Sequence, residues 1–229
     1  DRSGRTENRG GPLTGSPMRE SIVAKRARAR KILSSLRKAY PDARIALHFT
    51  TSLELLVATI LSAQCTDERV NMVTPALFRT YRSARDYAGA DPAVLETEIR
   101  STGFYRAKAR AIIAMARALV ERYGGEVPGT REALVELPGV GLKTANVVLG
   151  NAFGQQAIAV DTHVFRVSQR LGLARSEDPD QIHDQLVETL QRRDWTLATH
   201  LLITHGRRTC TARRPACPRA ARRGCCASE

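Results

Sequence analysis

Apolar side chains recur at helical spacing along most of the chain, and the alternating pattern of a β-strand is almost absent. A first helix is predicted to begin near Ser21 and to end before Pro41. Thr51 and Glu54 form a Thr-x-x-Glu capping box at the start of a second, apolar helix over 53–64. Further helices are predicted near 68–80, 93–99, 106–122, 131–136, 143–152, 162–171, 180–192 and 195–206. The chain is therefore predicted to be all-α, with many short helices joined by tight turns.

The chain is strongly basic, with a formal net charge of +13 over 229 residues. A compact protein of this charge repels itself unless a polyanion neutralises it, so nucleic acid is the first candidate partner. An anionic membrane surface is less favoured because the basic residues are spread over many segments, and no apolar run of about eighteen residues is present. On charge alone, a basic protein without a polyanionic partner stays open. Residues 1–19, rich in Gly, Ser, Pro and Arg, are predicted to be a disordered basic arm.

Lysine is rare in this chain, since only five of the 36 basic residues are lysines: Lys25, Lys31, Lys38, Lys108 and Lys143. Arginine supplies permanent charge, whereas lysine alone can lose its proton and act as a nucleophile. After Lys108 every basic residue is an arginine except Lys143, which is therefore a candidate for chemistry that arginine cannot perform.

Lys143 lies in the segment LPGVGLKTA, residues 137–145, in which Pro138 ends one helix and another begins near Leu142. Gly139 and Gly141 admit backbone conformations that other residues avoid and leave N–H groups pointing outward, as in a phosphate site. A tight turn between two helices would explain the same glycines.

The segment LPGVGLKTA resembles the helix-hairpin-helix element of the endonuclease III branch of DNA glycosylases. The resemblance covers roughly residues 30–217 and extends, in the family's order, through LSAQCTDERVN (61–71), STGFYRAKA (101–109), AVDTHVFRVSQRLGL (159–173) and HGRRTCTARRPAC (205–217). It implies that Lys143 is the catalytic nucleophile and Asp161 the second catalytic residue. In isolation, Lys143 reads equally as a solvated or phosphate-contacting lysine. Asp161 reads in isolation as the N-cap of a helix that begins at Thr162, and it can serve in both roles.

The resemblance also implies a two-lobed helix-hairpin-helix glycosylase fold. A six-helix lobe at 45–155 carries the hairpin, and residues 20–44 combine with 156–229 in a second lobe that ends in a cysteine-rich tail. Lys143 and Asp161 are expected to face each other across the groove between the lobes.

The activity that the resemblance implies is base excision repair by a bifunctional enzyme, both glycosylase and abasic-site lyase. It removes oxidised or ring-saturated pyrimidines from duplex DNA through a Schiff base on Lys143. The amine attacks only when neutral, and we expect surrounding arginines and partial burial to favour that state. The alternatives are a monofunctional mismatch glycosylase of the same fold, whose branch lacks the lysine, and a non-catalytic helix-hairpin-helix DNA-binding protein. The expected partner is double-stranded DNA with damaged bases, bound by a monomer without a membrane partner in a bacterial cytoplasm or nucleoid.

A base buried in the duplex must be flipped out before it reacts, and side chains then fill the gap. By resemblance, Gln64 bonds the orphaned base and Phe104 wedges the base step, with Thr102 beside it. Phe104 as an ordinary half-buried aromatic is the alternative. The arginines near the C-terminus also suggest a phosphate-contacting surface. The predicted DNA-contacting residues are therefore Gln64, Thr102, Phe104, Gly139, Val140, Gly141, Arg207, Arg213 and Arg214.

Four of the five cysteines lie in the last twenty residues, and without a secretory signal they favour metal or cluster ligation over disulfides. The family carries a [4Fe–4S] cluster on the pattern Cys-x6-Cys-x2-Cys-x5-Cys. Cys210, Cys217 and Cys226 fit this pattern, whereas Ala220 stands at the third ligand position and Cys225 is an off-pattern substitute. An altered cluster, a lost cluster and an aberrant tail all stay open.

Overall fold

A computed structural model describes residues 20–216 of the chain, and those residues contain helices and loops but no strand. This confirms the all-α prediction. The α-helices are α1 (Ile22–Ala39), α2 (Ser52–Leu61), α3 (Asp67–Thr80), α4 (Ala84–Ala88), α5 (Pro92–Glu98), α6 (Tyr105–Tyr123), α7 (Arg131–Val135), α8 (Leu142–Ala152), α9 (Thr162–Arg170), α10 (Pro179–Thr189) and α11 (Trp195–Arg208), with short 3-10 turns at Arg100–Thr102 and Arg192–Asp194.

Two hydrophobic cores organise these helices. The first core draws on residues from Leu47 to Ala157 and includes the buried faces of α2, α6 and α8. The second core combines α1 with residues from Ile158 to Cys210. We name the parts around these cores the hairpin lobe and the terminal lobe. The chain crosses from one core to the other between Ala157 and Ile158, a few residues before Asp161.

The predicted helix starts were more accurate than the predicted helix ends. Ser21 caps α1, and Thr51 forms the expected capping box with Glu54, because both N-terminal signals depend on local hydrogen bonds alone. The predicted helix over 53–64 is wrong at its end, since α2 stops at Leu61. Likewise α10 ends at Thr189 rather than 192, because the backbone becomes extended at Leu190.

The short helix α4 was not predicted, although its signal is present in the sequence. Ser83 and Asp86 form a second capping box at its N-terminus. Five residues are too few for a hydrophobic period, so only the capping residues mark the helix.

The helices α8 and α9 pack in different lobes. Helix α8 packs against α2 and α7 in the hairpin lobe, and α9 packs along α11 in the terminal lobe.

Between residues 20 and 216, no helix is long and apolar enough to cross a membrane. The predicted basic arm at 1–19 lies outside the described residues.

Candidate active site

A cavity of about 730 Å³ lies between the two cores and is lined by residues of both. Four residues predicted from the sequence meet in it: Gln64, Lys143, Asp161 and Arg207. The sequence did not single out Asp67 and Asn146, which line it as well. Phe104 and the hairpin residues 139–141 lie outside the cavity lining, as do Arg213 and Arg214.

Lys143 is the second residue of α8, directly after the hairpin, and its side chain is exposed. The partial burial that we expected for it is therefore wrong, because the first turn of α8 projects into the open cleft. Within residues 20–216, no carboxylate forms an ion pair with its amine. The amine is thus accessible to a ligand in the cavity.

Asp161 caps α9 and also faces the cavity. Its Oδ1 accepts hydrogen bonds from the backbone N–H groups of His163 (2.9 Å) and Val164 (2.7 Å), which is the N-cap role anticipated from the sequence. Among the described residues, no donor is bonded to its other oxygen, Oδ2. One oxygen therefore fixes the carboxylate, and the other is available to a ligand.

Asn146 connects the lysine helix to the segment that leads to Asp161. It is buried one helical turn after Lys143, and its Nδ2 donates to the carbonyl of Ile158 at 2.8 Å. Its Oδ1 is buried without a partner among the described atoms. The sequence signal was a lone amide in the otherwise apolar run ANVVLG, which periodicity alone does not rank as functional.

Helix α11 supports the same region from the terminal lobe. The hydroxyls of Thr196 and Thr199 accept from the backbone N–H groups of Ala157 (3.2 Å) and Ala159 (3.4 Å). His200, which the sequence left unassigned, bonds through Nε2 to Asn151 Oδ1 of α8 at 2.8 Å. Burial lowers the pKa of His200, so near neutral pH its ring is uncharged.

His163 lies beside Asp161 in the cavity wall, and Arg166 Nη2 approaches its Nδ1 at 3.2 Å. Because a guanidinium can only donate, Nδ1 accepts and the proton of the neutral ring resides on Nε2. Burial lowers the pKa of His163, while the negative charge of Asp161 opposes that shift. The ring is therefore held in one orientation next to the carboxylate.

The two hairpin glycines differ in backbone conformation and in the space around their Cα atoms. Gly139 has a φ of +76°, and a Cβ on it would lie 2.9 Å from Ala111 Cβ of α6. Gly141 has an ordinary φ of −91° and open space around it, so the expectation of a special conformation is wrong there. As the N-cap of α8, Gly141 offers no side-chain hydrogen bond, which leaves the first N–H groups of the helix open to an anion.

Two residues predicted to contact DNA, Val140 and Thr102, have side chains that turn inward. Val140 is packed in the hairpin-lobe core, and the Thr102 hydroxyl donates to Ile99 O at 2.8 Å in a buried position. A DNA contact from either residue would therefore come from its backbone. Gln64 and Phe104, in contrast, are exposed and have positive φ values of 52° and 48°.

The three predicted arginines differ in their partners. Arg207 Nη2 donates to Asp67 Oδ2 at 2.6 Å, an ion pair that joins α11 to α3 across the cavity. Arg213 and Arg214 are exposed in the last described segment. Because Asp67 balances its charge, the Arg207 guanidinium attracts a phosphate less strongly than an unpaired arginine would.

The described part of the cysteine tail contributes one thiol, Cys210, which is buried with a relative exposure of 2%. Arg170 Nη1 donates to its Sγ at 3.3 Å. Residues 20–216 contain no group of three side chains that could hold a metal ion, and Cys217, Cys225 and Cys226 lie outside the described residues. The family's third ligand position is occupied by Ala220, whose methyl group cannot bind iron. The donor set therefore does not fit the family's four-thiolate cluster.

Comparison with known proteins gives concordant matches. The family model described as HhH-GPD superfamily base excision DNA repair protein matches residues 57–192. Endonuclease III of Synechocystis sp. is 50% identical over 203 residues, covering 88% of this chain and 93% of that protein. Endonuclease III of Bacillus subtilis is 46% identical over 186 residues, covering 81% of this chain and 85% of that protein.

Solved structures agree with these matches. The structure of a trapped endonuclease III–DNA covalent intermediate superposes on this chain with a TM-score of 0.84 at 44% identity. The match covers 88% of this chain and 95% of that chain.

Proposed function

Because the chain belongs to the endonuclease III family of base excision DNA repair proteins, we propose that Lys143 and Asp161 carry out its reaction in the cavity between the lobes. As a member of that family it is a DNA glycosylase and abasic-site lyase. The observation that carries the proposal is that both side chains line one cavity, each with a group open to a ligand. The proposed substrates are oxidised or ring-saturated pyrimidines in duplex DNA.

The first step is substitution at the deoxyribose by the Lys143 amine. The amine forms a bond to C1′, the bond between C1′ and the damaged base breaks, and the base leaves with a proton that the amine gives up. The nitrogen lone pair then forms the C1′=N bond as the C1′–O4′ bond breaks, the second amine proton passes to O4′, and the opened sugar is held as an imine on Lys143. The imine accepts the electron pair released when a C2′ proton is lost, and the 3′ phosphate departs by β-elimination. Arginine cannot form this adduct because it keeps its proton.

Asp161 is proposed to stabilise the positive charge that develops on the sugar as the base departs. A fixed carboxylate placed at the developing charge is effective because it needs no reorganisation during the reaction. The cap bonds to His163 and Val164 supply that fixation through Oδ1, and Oδ2 is left to face the sugar. The capping role and the catalytic role are therefore compatible in one residue.

The duplex is proposed to meet the protein through three features around the cavity. The uncapped N-terminus of α8 and the backbone of Gly139 to Gly141 bind phosphate, and Arg207, Arg213 and Arg214 add positive charge. Gln64 and Phe104 fill the space that the flipped nucleotide leaves. A loss of planarity in ring-saturated bases weakens their stacking and favours flipping. A monomer acting at the bacterial nucleoid is the proposed setting.

The proposed chemistry assigns no step to an iron–sulfur cluster. Every bond change described above involves the Lys143 amine, the sugar and its leaving groups. A cluster with an altered ligand set, if the tail holds one, would serve structure or redox sensing.

Borohydride trapping on duplex DNA with one thymine glycol tests this proposal. Wild type is expected to form a covalent complex, and Lys143→Gln to form none, because the imine is lost. Lys38→Gln, which removes an exposed lysine of α1, is the matched control and should trap normally. Asp161→Asn keeps an oxygen for the α9 cap but loses the charge, so it should fold normally and trap at least about 100-fold more slowly. Normal trapping by Lys143→Gln would refute the assignment.

A further inference from the structure

Two exposed residues share an uncommon backbone conformation. Gln64 and Phe104 are the two non-glycine residues with positive φ in the described chain, and each lies in a short loop between helices. We call residues 62–66 the Gln64 loop and residues 100–104 the Phe104 loop. A side chain in this conformation is unfavourable and persists only where the surrounding structure holds it. The fold must therefore contain groups that hold both loops.

Lys108 is the group that contacts both loops. It lies in the first turn of α6, and its side chain is buried with a relative exposure of 5%. Its Nζ donates to Leu61 O at 2.8 Å and to Thr102 O at 2.7 Å. The first carbonyl directly precedes the Gln64 loop, and the second lies within the Phe104 loop, two residues before Phe104 itself. One ammonium group thus connects the two loops.

The two acceptors explain why an ammonium is needed at this position. Leu61 ends α2 and Thr102 ends a 3-10 turn, and carbonyls at helix ends lack partners within their own helix. Burying both without a donor would be unfavourable. No carboxylate in residues 20–216 forms an ion pair with Lys108, and its Nζ donates to these two carbonyls instead.

Neighbouring contacts reinforce the connection. The Lys108 backbone N–H donates to Phe104 O at 3.0 Å as the first bond of α6, so the side chain and the backbone of Lys108 hold the same loop. Helix α3, which follows the Gln64 loop, packs against the 3-10 turn of the Phe104 loop. The two loops are therefore adjacent.

We propose that Lys108 is a positioning residue that joins the Gln64 and Phe104 loops, so that both side chains enter damaged DNA as one preformed unit. This inference rests on the proposed function, which places these two side chains in the duplex. Groups held in advance in their bound geometry avoid the ordering that binding would otherwise require. Lys108 itself touches neither the substrate nor the reacting atoms.

The decisive experiment is a double-mutant cycle on base release from a thymine glycol duplex under single-turnover conditions. Lys108→Met keeps the apolar stem and removes both hydrogen bonds, and it is expected to lower the rate about 10- to 100-fold. In a Gln64→Ala/Phe104→Ala background, the same change should lower the rate less than about threefold, because the side chains that it positions are gone. Lys31→Met, at an exposed position of α1, is the matched control.

The outcomes separate a positioning role from a general structural one. Equal rate losses in the two backgrounds would overturn the inference while leaving the lysine chemistry intact. An unaffected Gln64→Ala/Phe104→Ala variant would overturn the insertion roles and the inference together. If the wild-type protein formed no trapped complex at all, the proposed function itself would be wrong.

A second readout does not depend on catalysis. With 2-aminopurine placed opposite the lesion, binding of the Lys143→Gln variant to the duplex should raise the 2-aminopurine fluorescence, because the orphaned base leaves its stack. Adding Lys108→Met should abolish that rise while the affinity for DNA stays within about threefold. Circular dichroism shows whether Lys108→Met is folded at the assay temperature. If it is unfolded, Lys108→Gln replaces it in both experiments. This variant retains an N–H donor, so we expect an intermediate effect. An undiminished fluorescence rise would contradict the proposal.

Discussion

Asn146 Nδ2 donates to the carbonyl of Ile158 at 2.8 Å, and this bond joins the helix that carries Lys143 to the segment that ends in Asp161. Asn146 lies three residues after Lys143, and Ile158 three residues before Asp161. The bond also spans the point at which the chain passes from the hairpin-lobe core to the terminal-lobe core. The relative position of the two candidate catalytic groups therefore depends on a buried side-chain amide that touches neither of them.

Replacing this amide should affect both catalysis and stability. Asn146→Leu keeps the branched shape of the side chain but leaves Ile158 O without its donor, so we expect a loss of about 1–3 kcal/mol in the free energy of unfolding. The rate of borohydride trapping should fall about 10- to 100-fold, because the Lys143 amine and the Asp161 carboxylate are no longer held in their relative position. Gln155→Leu is the control, since it removes a comparable bond to Gly129 O on the exposed side of the hairpin lobe. A trapping rate equal in the two variants would contradict this role.

The hairpin glycines should respond differently to the same substitution. Gly139→Ala places a Cβ at 2.9 Å from Ala111 Cβ and strains a φ of +76°, so it should destabilise the fold by at least about 1 kcal/mol. Gly141→Ala meets no atom within 4 Å and has an ordinary φ, so its effect should stay within about 0.5 kcal/mol. Urea unfolding of both variants measures the difference. Equal destabilisation would show that the hairpin does not need its left-handed residue.

Stability should fall in mildly acidic solution because His200 is buried. Its pKa is lowered by burial, so below the ordinary value of 6.5 the unfolded chain binds a proton that the folded chain does not. The contribution is fully present above pH 6.5 and is lost as pH falls towards the lowered pKa, by at most about 1.4 kcal/mol per pH unit. His200→Gln should flatten this part of the curve of unfolding free energy against pH. His48→Gln, at an exposed histidine, is the matched control variant.

The sequence predicted the parts of the molecule that depend on local rules. A capping box located the start of α2, and hydrophobic periodicity located α1 and the other long helices because each buries one face in a core. The family resemblance, now confirmed by the comparisons, indicated which residues to examine in the cavity. The catalytic roles of Lys143 and Asp161 themselves stay predictions.

Features that depend on contacts between distant segments could not be predicted. Lys108 reads as one more basic residue of an amphipathic helix, and its two carbonyl partners become visible only when α6 packs beside α2. The inward turn of Thr102 and Val140 has the same origin, because tertiary packing decides which face of a loop is buried. The exposure of Lys143 likewise depends on how the start of α8 faces the cavity between the lobes.

Restoring the missing thiol should reveal the iron-binding capacity of the tail. Ala220→Cys completes the family pattern, and the purified variant should hold about four iron atoms per chain with broad visible absorbance, as a [4Fe–4S] cluster requires. The native chain should hold less iron under the same reconstitution. Ala221→Cys adds a thiol one position out of register and should behave like the native chain. Full occupancy in the native chain would show that Cys225 substitutes for the absent ligand.

Mapping the covalent adduct tests the central claim most directly. Wild-type protein trapped by borohydride on a thymine glycol duplex is digested, and the peptide that carries the sugar remnant is identified by mass spectrometry. The chain has five lysines, so the assignment is unambiguous. We predict that the remnant lies on Lys143. A remnant on Lys108 or on a lysine of α1 would contradict the account, as would release of the base with no adduct on any lysine.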